Sequence, residues 1–589
     1  MSSEAAGVPL TLAEQSAFRQ TGRTDEVARL CQAYAQRWPD AVRSFEYGRS
    51  AEGRPMHAMV VSRTGALSPA EIRRRKVPVL LLQAGIHPGE SDGKDAGFIA
   101  VRELLSGEVG AGLLERLAIL FVPAFNVDGH ERVGRWNRPN QIGPEETGWR
   151  ATSQNINLNR DYTKADAIEM QAMLRLLQQW DPLVCADLHV TDGADFEPDI
   201  SLQVEPIHQG DATLFANGVR LRDELITKLA QQGSVPLPFY LDLAEVDNPA
   251  SGFQLTVYSP RFSTGYFPAR NRYTVLVETH SWKDYATRVR VTRNTIIGLA
   301  ELLVAHGARW LEETQRADAA AKQSGGKDVI LDFAASWREP TKEKSSEGSA
   351  GDPDVTMIDF RGYAYKREPS KISGELVTVY DPTTPQIWRV PFRKNTTPSL
   401  VVTAPRGGYV VPPGYASEIG AKLELHGIEF RKLEAVGRVE VECFRASQVE
   451  FSRAPFEGRT RAAITGAWQK EHQEIGAGSL FVPIAQYRAR LLMVLLEPQA
   501  PDSFAAWGFF NGWFEHKEYV EPYVIEIMAR DLTQADPSLA AEFERKLAED
   551  PAFAADPAAR REFFYRRHAA WDERFGLYPI MRVASSIGD

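Results

Sequence analysis

The chain has 589 residues, too many for one compact core, and its 43% hydrophobic and 25% charged content is that of ordinary globular protein. A formal net charge of -10 argues against nonspecific binding of nucleic acid or another polyanion. Three widely spaced cysteines (Cys31, Cys185, Cys443) form no CxxC and cannot all pair, so no disulfide framework is expected.

The N-terminal stretch "MSSEAAGVPLTLAEQSAFRQ" lacks a basic start followed by an apolar core. The expectation is a cytoplasmic protein, or a periplasmic or secreted one if a signal has been trimmed. No run approaches the roughly 18 apolar residues of a membrane span; the longest, such as "RLLMVLLEP", are of strand length.

From about residue 40 to 315, strand-like runs alternate with helical patterns. "VPVLLLQAG" (77–85), "LAILFVPAF" (117–125), "PLVCADLHV" (182–190) and "YTVLVETH" (273–280) read as buried strands. "KDAGFIAVRELLSG", "KADAIEMQAMLRLLQQW" and "DATLFANGVRLRDELITKLAQQG" carry helical spacing, and a long helix over 285–320 closes the unit. Such alternation predicts an α/β domain with a buried sheet between helices, where sites gather at strand ends. "EPTKEKSSEGSAGDPD" (339–354) has no apolar face and reads as a linker. Beyond it, short Val-, Tyr- and Phe-rich runs predict a β-rich region, and two Asp-Pro helix starts predict a helical tail. The expected division is a catalytic domain over 1–325, a linker over 326–354, and a β-rich accessory domain with C-terminal helices over 355–589.

The chemistry concentrates at strand ends. "HPGE" places His87 and Glu90 three apart where a strand gives way to a loop, and "CADLHVTDG" ends another strand at His189. Two histidines and a glutamate are the ligand types of a catalytic zinc, which keeps a fourth position for water. "GWRATSQNINLNRDY" offers Arg150, Asn159 and Arg160; arginine forks bind carboxylates and can polarise a carbonyl. Glu278 falls near the end of an apolar strand, where an ionised side chain is costly unless it is paired or used. Next to a zinc site it suits a general base, with His280 on the same strand face. Each motif has a bland reading too: a chance HxxE, a hydrogen-bonded strand-end histidine, solvated loop arginines, and a Glu278 salt bridge to Arg270 or Arg272.

The ordered set "HPGE … GWR … NLNRDY … DLH … VLVETH" resembles the zinc carboxypeptidases of the carboxypeptidase A type, the funnelins. "NVDGHERVGRWNR" and "FEYGRSAEGRPMHAMVVS" resemble further stretches of that family. The resemblance implies an α/β/α sandwich around a mixed, mostly parallel eight-stranded sheet, followed here by the β-rich accessory region with its helical tail. It implies one Zn2+ per chain held by His87, Glu90 and His189, Glu278 as general base, and Arg150 as oxyanion stabiliser. Asn159 and Arg160 would grip a terminal carboxylate, and Tyr258, with Tyr266 nearby, would close over substrate. The family's arginine before the glutamate ligand is replaced by Gly89, so one substrate contact is missing from the pattern. The implied activity is zinc-dependent removal of C-terminal residues from peptides. The alternatives are a zinc amidohydrolase acting on N-acyl amino acids or cell-wall peptides, and a catalytically decayed binding protein. The implied partner is a peptide or acyl-amino-acid substrate with a free carboxylate, with no nucleic acid and no membrane span; the oligomeric state is left open.

Overall fold

The computed structural model describes residues 7–191, 193–335, 355–434 and 437–588. Its strands in chain order begin with β1 (Val42–Arg49), β2 (Pro55–Val61), β3 (Val79–Ala84), β4 (Ala118–Val122), β5 (Val184–Thr191), β6 (Ile200–Glu205) and β7 (Pro236–Leu237). Two short strands follow, β8 (Asp242–Leu243) and β9 (Phe253–Gln254), then β10 (Tyr273–His280). One eight-stranded sheet has the order β1-β2-β4-β3-β5-β10-β6-β7. The centre, β4-β3-β5-β10, is parallel, while β1, β2 and β6 join antiparallel. This is the mixed, mostly parallel sheet expected.

The reason is legible in the strands themselves. β3, β4, β5 and β10 are buried at every residue, as near-continuous apolar runs must be when both faces are covered. Helices Asp92–Ser106 and Tyr285–Ala321 pack on each other and on β3. The first approaches so closely that a Cβ on Gly93 would lie 2.6 Å from that of Leu188 and 3.0 Å from that of Ala84. Side chains alternate along a strand, so Ala84 and Leu188 face this helix while Gln83, Asp187 and His189 face away from it. The polar residues of the sheet therefore share one face.

The rest of the chain builds around that unit. Part of the expected linker is ordered as β11 (Asp328–Ala335), because a strand is available to pair with it, β14 (Thr396–Thr403). The "EPTKEKSSEGSAGDPD" stretch lies outside the described residues. A long hairpin, β12 (Val355–Pro369) and β13 (Leu376–Arg393), joins β8 and β9 in a four-stranded sheet. Phe196, Phe239, Phe253, Phe360 and Trp388 form the core beneath it. A six-stranded sheet contains β15 (Gly408–Val411), β16 (Arg431–Lys432), β17 (Gly437–Phe451), β18 (Ala462–Ile475), β19 (Leu480–Pro483) and β20 (Met581–Val583).

The run "RLLMVLLEP", of strand length, is instead the core of helix Ala489–Leu496, buried almost all round. Periodicity cannot separate a buried helix from a buried strand in so short a run. The tail is helical, with Asp536, Asp550 and Asp556 each capping a helix that opens on proline. Among the described residues no helix is long and apolar enough to cross a membrane.

One apolar cluster runs from Leu80 in β3 to Leu423, Val482 and Phe504, so the β-rich region shares a core with the first sheet. Ion pairs reinforce this contact. Asp166 accepts from Arg459 at 2.6 and 2.9 Å and from Lys422 at 3.0 Å. Burial pulls its carboxyl upward, but the Arg459 hydrogen bonds and the Lys164 and Lys422 charges outweigh it and hold the pKa at about 2. A depressed carboxylate stabilises the fold above its unfolded value, and that contribution is lost as pH falls through the folded one. Asp166→Asn is expected to lower stability by about 2 kcal/mol at neutral pH, with the gap closing between roughly pH 4 and pH 2. Urea denaturation across pH checks this; a gap independent of pH would contradict it.

Candidate metal and substrate site

The chain leaves β3 through Gly85, whose φ of 68° is readily adopted only without a side chain. The following turn, closed by Glu90 N–H donating to His87 O at 3.0 Å, brings His87 and Glu90 to the polar face of the sheet. His189 arrives from the end of β5. His87 Nδ1 lies 3.0 Å from Glu90 Oε1, and His189 Nδ1 lies 2.9 Å from Glu90 Oε2. All three side chains are buried and their candidate ligand atoms lie within 4.8 Å of one another.

The far side of each ring is held. His87 Nε2 is 3.1 Å from Asn157 Oδ1, and His189 Nε2 is 3.1 Å from Asp187 Oδ1. Asp187 in turn accepts from Gln83 at 2.7 Å and from Ser263 at 2.6 Å. Such partners fix ring orientation and leave the two Nδ1 atoms turned inward. Burial pushes the His87 pKa down to about 4, so its imidazole is neutral, the form that ligates a metal. Burial disfavours charge on His189 as well, yet Asp187 and Glu90 outweigh it and raise its pKa well above the usual value. Glu90 is held well below the carboxylate range: burial opposes this, but His87, Arg138 and His189 prevail. Two imidazole nitrogens and an ionised carboxylate, converging in a buried site and braced from behind, fit zinc.

Glu278 pairs with His189 across the β5–β10 ladder, so both project to the same side of the sheet. It lines a cavity of about 140 Å³ together with His87, Glu90, His189, Arg150, Asn159 and Arg160. Every sequence-expected site residue is thus in one place, Tyr258 included. Tyr266 is not: it is fully buried, with its hydroxyl 3.0 Å from His426 Nδ1. His280 does not reach the cavity either, and stacks on Phe196 at 3.8 Å. Arg270 and Arg272 lie by Asp181 instead of Glu278.

Arg160 sits on the short turn Leu158–Arg160, capped by Asn157, with its guanidinium 4.3 Å over the Phe262 ring. Burial, then the charges of Arg150 and Arg261, push its pKa down to about 10. A cation so placed is stabilised by an arriving anion. Arg150 stands nearer the ligand cluster, 3.6 Å from Glu90 Oε1. The cavity is therefore lined both by a cluster that could hold a metal and by Arg150 and Arg160.

Sequence reasoning missed Arg138, which also lines the cavity. A Cβ on Gly89 would lie 2.5 Å from Arg138 Cγ, so the glycine makes room for this side chain. Arg138 reaches Glu90 Oε1 at 3.0 Å and donates to Val190 O at 3.1 Å. The one signal in the sequence was Gly89 itself, a glycine next to a candidate ligand. Arg138→Ala is expected to weaken zinc binding roughly tenfold, as loss of a group bracing a ligand does. Gly89→Ala should do the same by displacing Arg138, and the double variant should be no worse than either single one. Chelator-competition titration checks this; fully additive losses would contradict it.

Tyr240 and Phe262 were also missed; they wall the cavity from the loop that carries Tyr258, with Tyr258 5.9 Å from Tyr240 and 5.0 Å from Phe262 between ring centres. That loop contains β8 and β9, and β9 pairs with β13 of the β-rich region.

Comparison with known proteins finds one family model and several similar proteins. Residues 27–194, which include His87, Glu90 and His189, match the zinc carboxypeptidase family model. A carboxypeptidase 2 from Trichophyton equinum is 24% identical over 481 residues, covering 78% of this chain and 79% of that protein. A carboxypeptidase 2 from Trichophyton rubrum is 24% identical over 479 residues, with the same coverage. Among solved structures, carboxypeptidase A from Helicoverpa armigera superposes with a TM-score of 0.35 at 15% identity, covering 49% of this chain and 74% of that one.

Proposed function

We propose, on the premise that this chain carries a zinc carboxypeptidase domain, that it hydrolyses the C-terminal amide bond of peptides. The observation that carries this reading is the shared cavity: a buried His87–Glu90–His189 cluster, Glu278 and Arg160 all line it. His87, Glu90 and His189 would hold a zinc, which would supply Lewis acidity and a water with its pKa lowered to roughly 7.

The chain's own residues do the rest. Arg160 and Asn159 bind the substrate's terminal carboxylate, which fixes the last residue in the cavity and makes the enzyme an exopeptidase. Arg150 polarises the scissile carbonyl and stabilises the negative charge that develops on its oxygen. Glu278 takes the proton of the attacking water and passes it to the leaving amine. Tyr258, Tyr240 and Phe262 wall the cavity and limit the entry of bulk water.

A second reading has one observation in its favour. A cavity of about 140 Å³ is small, as a zinc amidohydrolase for N-acyl amino acids would need. All the residues the chemistry requires line it, which weighs against a decayed binding protein. The test uses protein stripped with a chelator and reloaded with zinc, given an N-acyl dipeptide and the matching N-acyl amino acid. Zinc-restored cleavage of the dipeptide alone is expected; cleavage of the acyl amino acid alone would replace this reading with the second.

A further inference from the structure

The turn that carries Arg160 is not held by the first sheet alone. Its cap, Asn157, uses one side-chain oxygen twice: Oδ1 accepts the Asn159 N–H at 3.0 Å and lies 3.1 Å from His87 Nε2. Asn157 thereby orients both a metal-ligand ring and the carboxylate-binding turn. Its own backbone N–H donates at 2.9 Å to Glu457 Oε2, from a residue 300 positions away in the β-rich region.

Glu457 sits at the tip of the β17–β18 hairpin, in a two-residue turn closed by Phe456 and Arg459. Both turn residues have positive φ, 50° at Glu457 and 78° at Gly458. Asn, Asp or Gly is favoured at the first of these positions, and a glutamate there costs backbone energy. The turn gains nothing from that choice, but a longer acid reaches Asn157. The tip is docked separately by the Arg459–Asp166 ion pair, so the hairpin does not depend on Glu457 for its place. Glu457 also faces Arg160 electrostatically, opposing the Arg150 and Arg261 charges that burden it.

We propose that Glu457 is a positioning residue of the catalytic site, acting through Asn157 on His87 and on the Asn159–Arg160 turn. The β-rich region then has a defined role: it completes the metal and carboxylate subsites of the first sheet. The substrate arm of this inference rests on the carboxypeptidase reading; the metal arm does not.

The experiment uses the full chain with Glu457→Ala, Glu457→Gln and Arg459→Ala. Zinc affinity is read by chelator competition, and kcat and KM on an N-acyl dipeptide with a free carboxylate. Glu457→Ala is expected to weaken zinc binding about tenfold and to raise KM about tenfold, with kcat changed less than about threefold. Glu457→Gln keeps the acceptor and should recover most of both losses. Arg459→Ala should lower the melting temperature while leaving zinc affinity and KM near the parent values. Parent-like zinc affinity in Glu457→Ala would overturn the proposal, whether or not the dipeptide is a substrate. So would losses in Glu457→Gln equal to those in Glu457→Ala, because the acceptor for the Asn157 N–H would then play no part. If the parent binds zinc but cleaves no free-ended peptide, the carboxypeptidase reading fails, and the zinc titrations still decide the role of Glu457.

Discussion

Replacing Glu278 by glutamine is expected to lower kcat by about a thousandfold or more, while KM, zinc content and melting temperature stay near those of the parent protein. The substitution keeps the size and shape of the side chain and removes its ability to take a proton. Pairing of β5 with β10 sets Glu278 opposite His189 and on the same side of the sheet. Strand pairing fixes that position more firmly than a loop could, so the variant should fold as the parent does. Glu278 is buried near the end of an apolar strand, and the proposed proton transfer gives a carboxylate a use there. Activity within tenfold of the parent would remove Glu278 from the mechanism. A large rise in KM with unchanged kcat would make it a binding group instead.

The second large effect is expected at Glu90. Glu90→Ala should abolish stoichiometric zinc binding, lowering affinity by about a thousandfold or more, since the site loses one of three ligands. It should also destabilise the metal-free protein by about 3–5 kcal/mol, the range for stripping a buried ionic cluster of one partner. The reason is local charge: Arg138 at 3.0 Å and His189 at 2.9 Å both rely on the Glu90 carboxylate. Metal analysis after dialysis and thermal melting with and without zinc separate the two effects. Retention of one zinc per chain would show that the ligand set lies elsewhere.

How much of this was legible before the structure depends on sequence distance. His87, Glu90 and His189 could be read because each ends an apolar strand or follows one closely, where a polar residue has few reasons to be. Glu278 stood out for the same reason. Asp187 could have been read and was not: it lies two residues before His189, hence on the same face of β5, and contacts its ring. Arg138 was harder to place, because the segment after residue 131 has no period and its path over Gly89 is set by tertiary packing. Glu457 was beyond reach, since no local pattern relates a hairpin tip to a turn 300 residues earlier. The strand β11, in the expected linker, forms only because β14 is there to pair with it.

The fold shows a similar division. The alternation of buried strands and helices in the first half followed from apolar runs and helical spacing. The β-rich character and the helical tail of the second half followed from turn signals and Asp-Pro caps. Their common core did not, because shared burial between distant segments leaves no periodic trace.

The most direct test of the central claim is mass spectrometry of a peptide mixture incubated with zinc-loaded protein. Each peptide would be present with a free and with an amidated C-terminus, and Glu278→Gln would serve as control. Loss of single C-terminal residues from the free-ended set alone, absent in the control, is the predicted result and would put a carboxylate at Arg160. Equal cleavage of both sets, or cleavage of neither, would contradict the account.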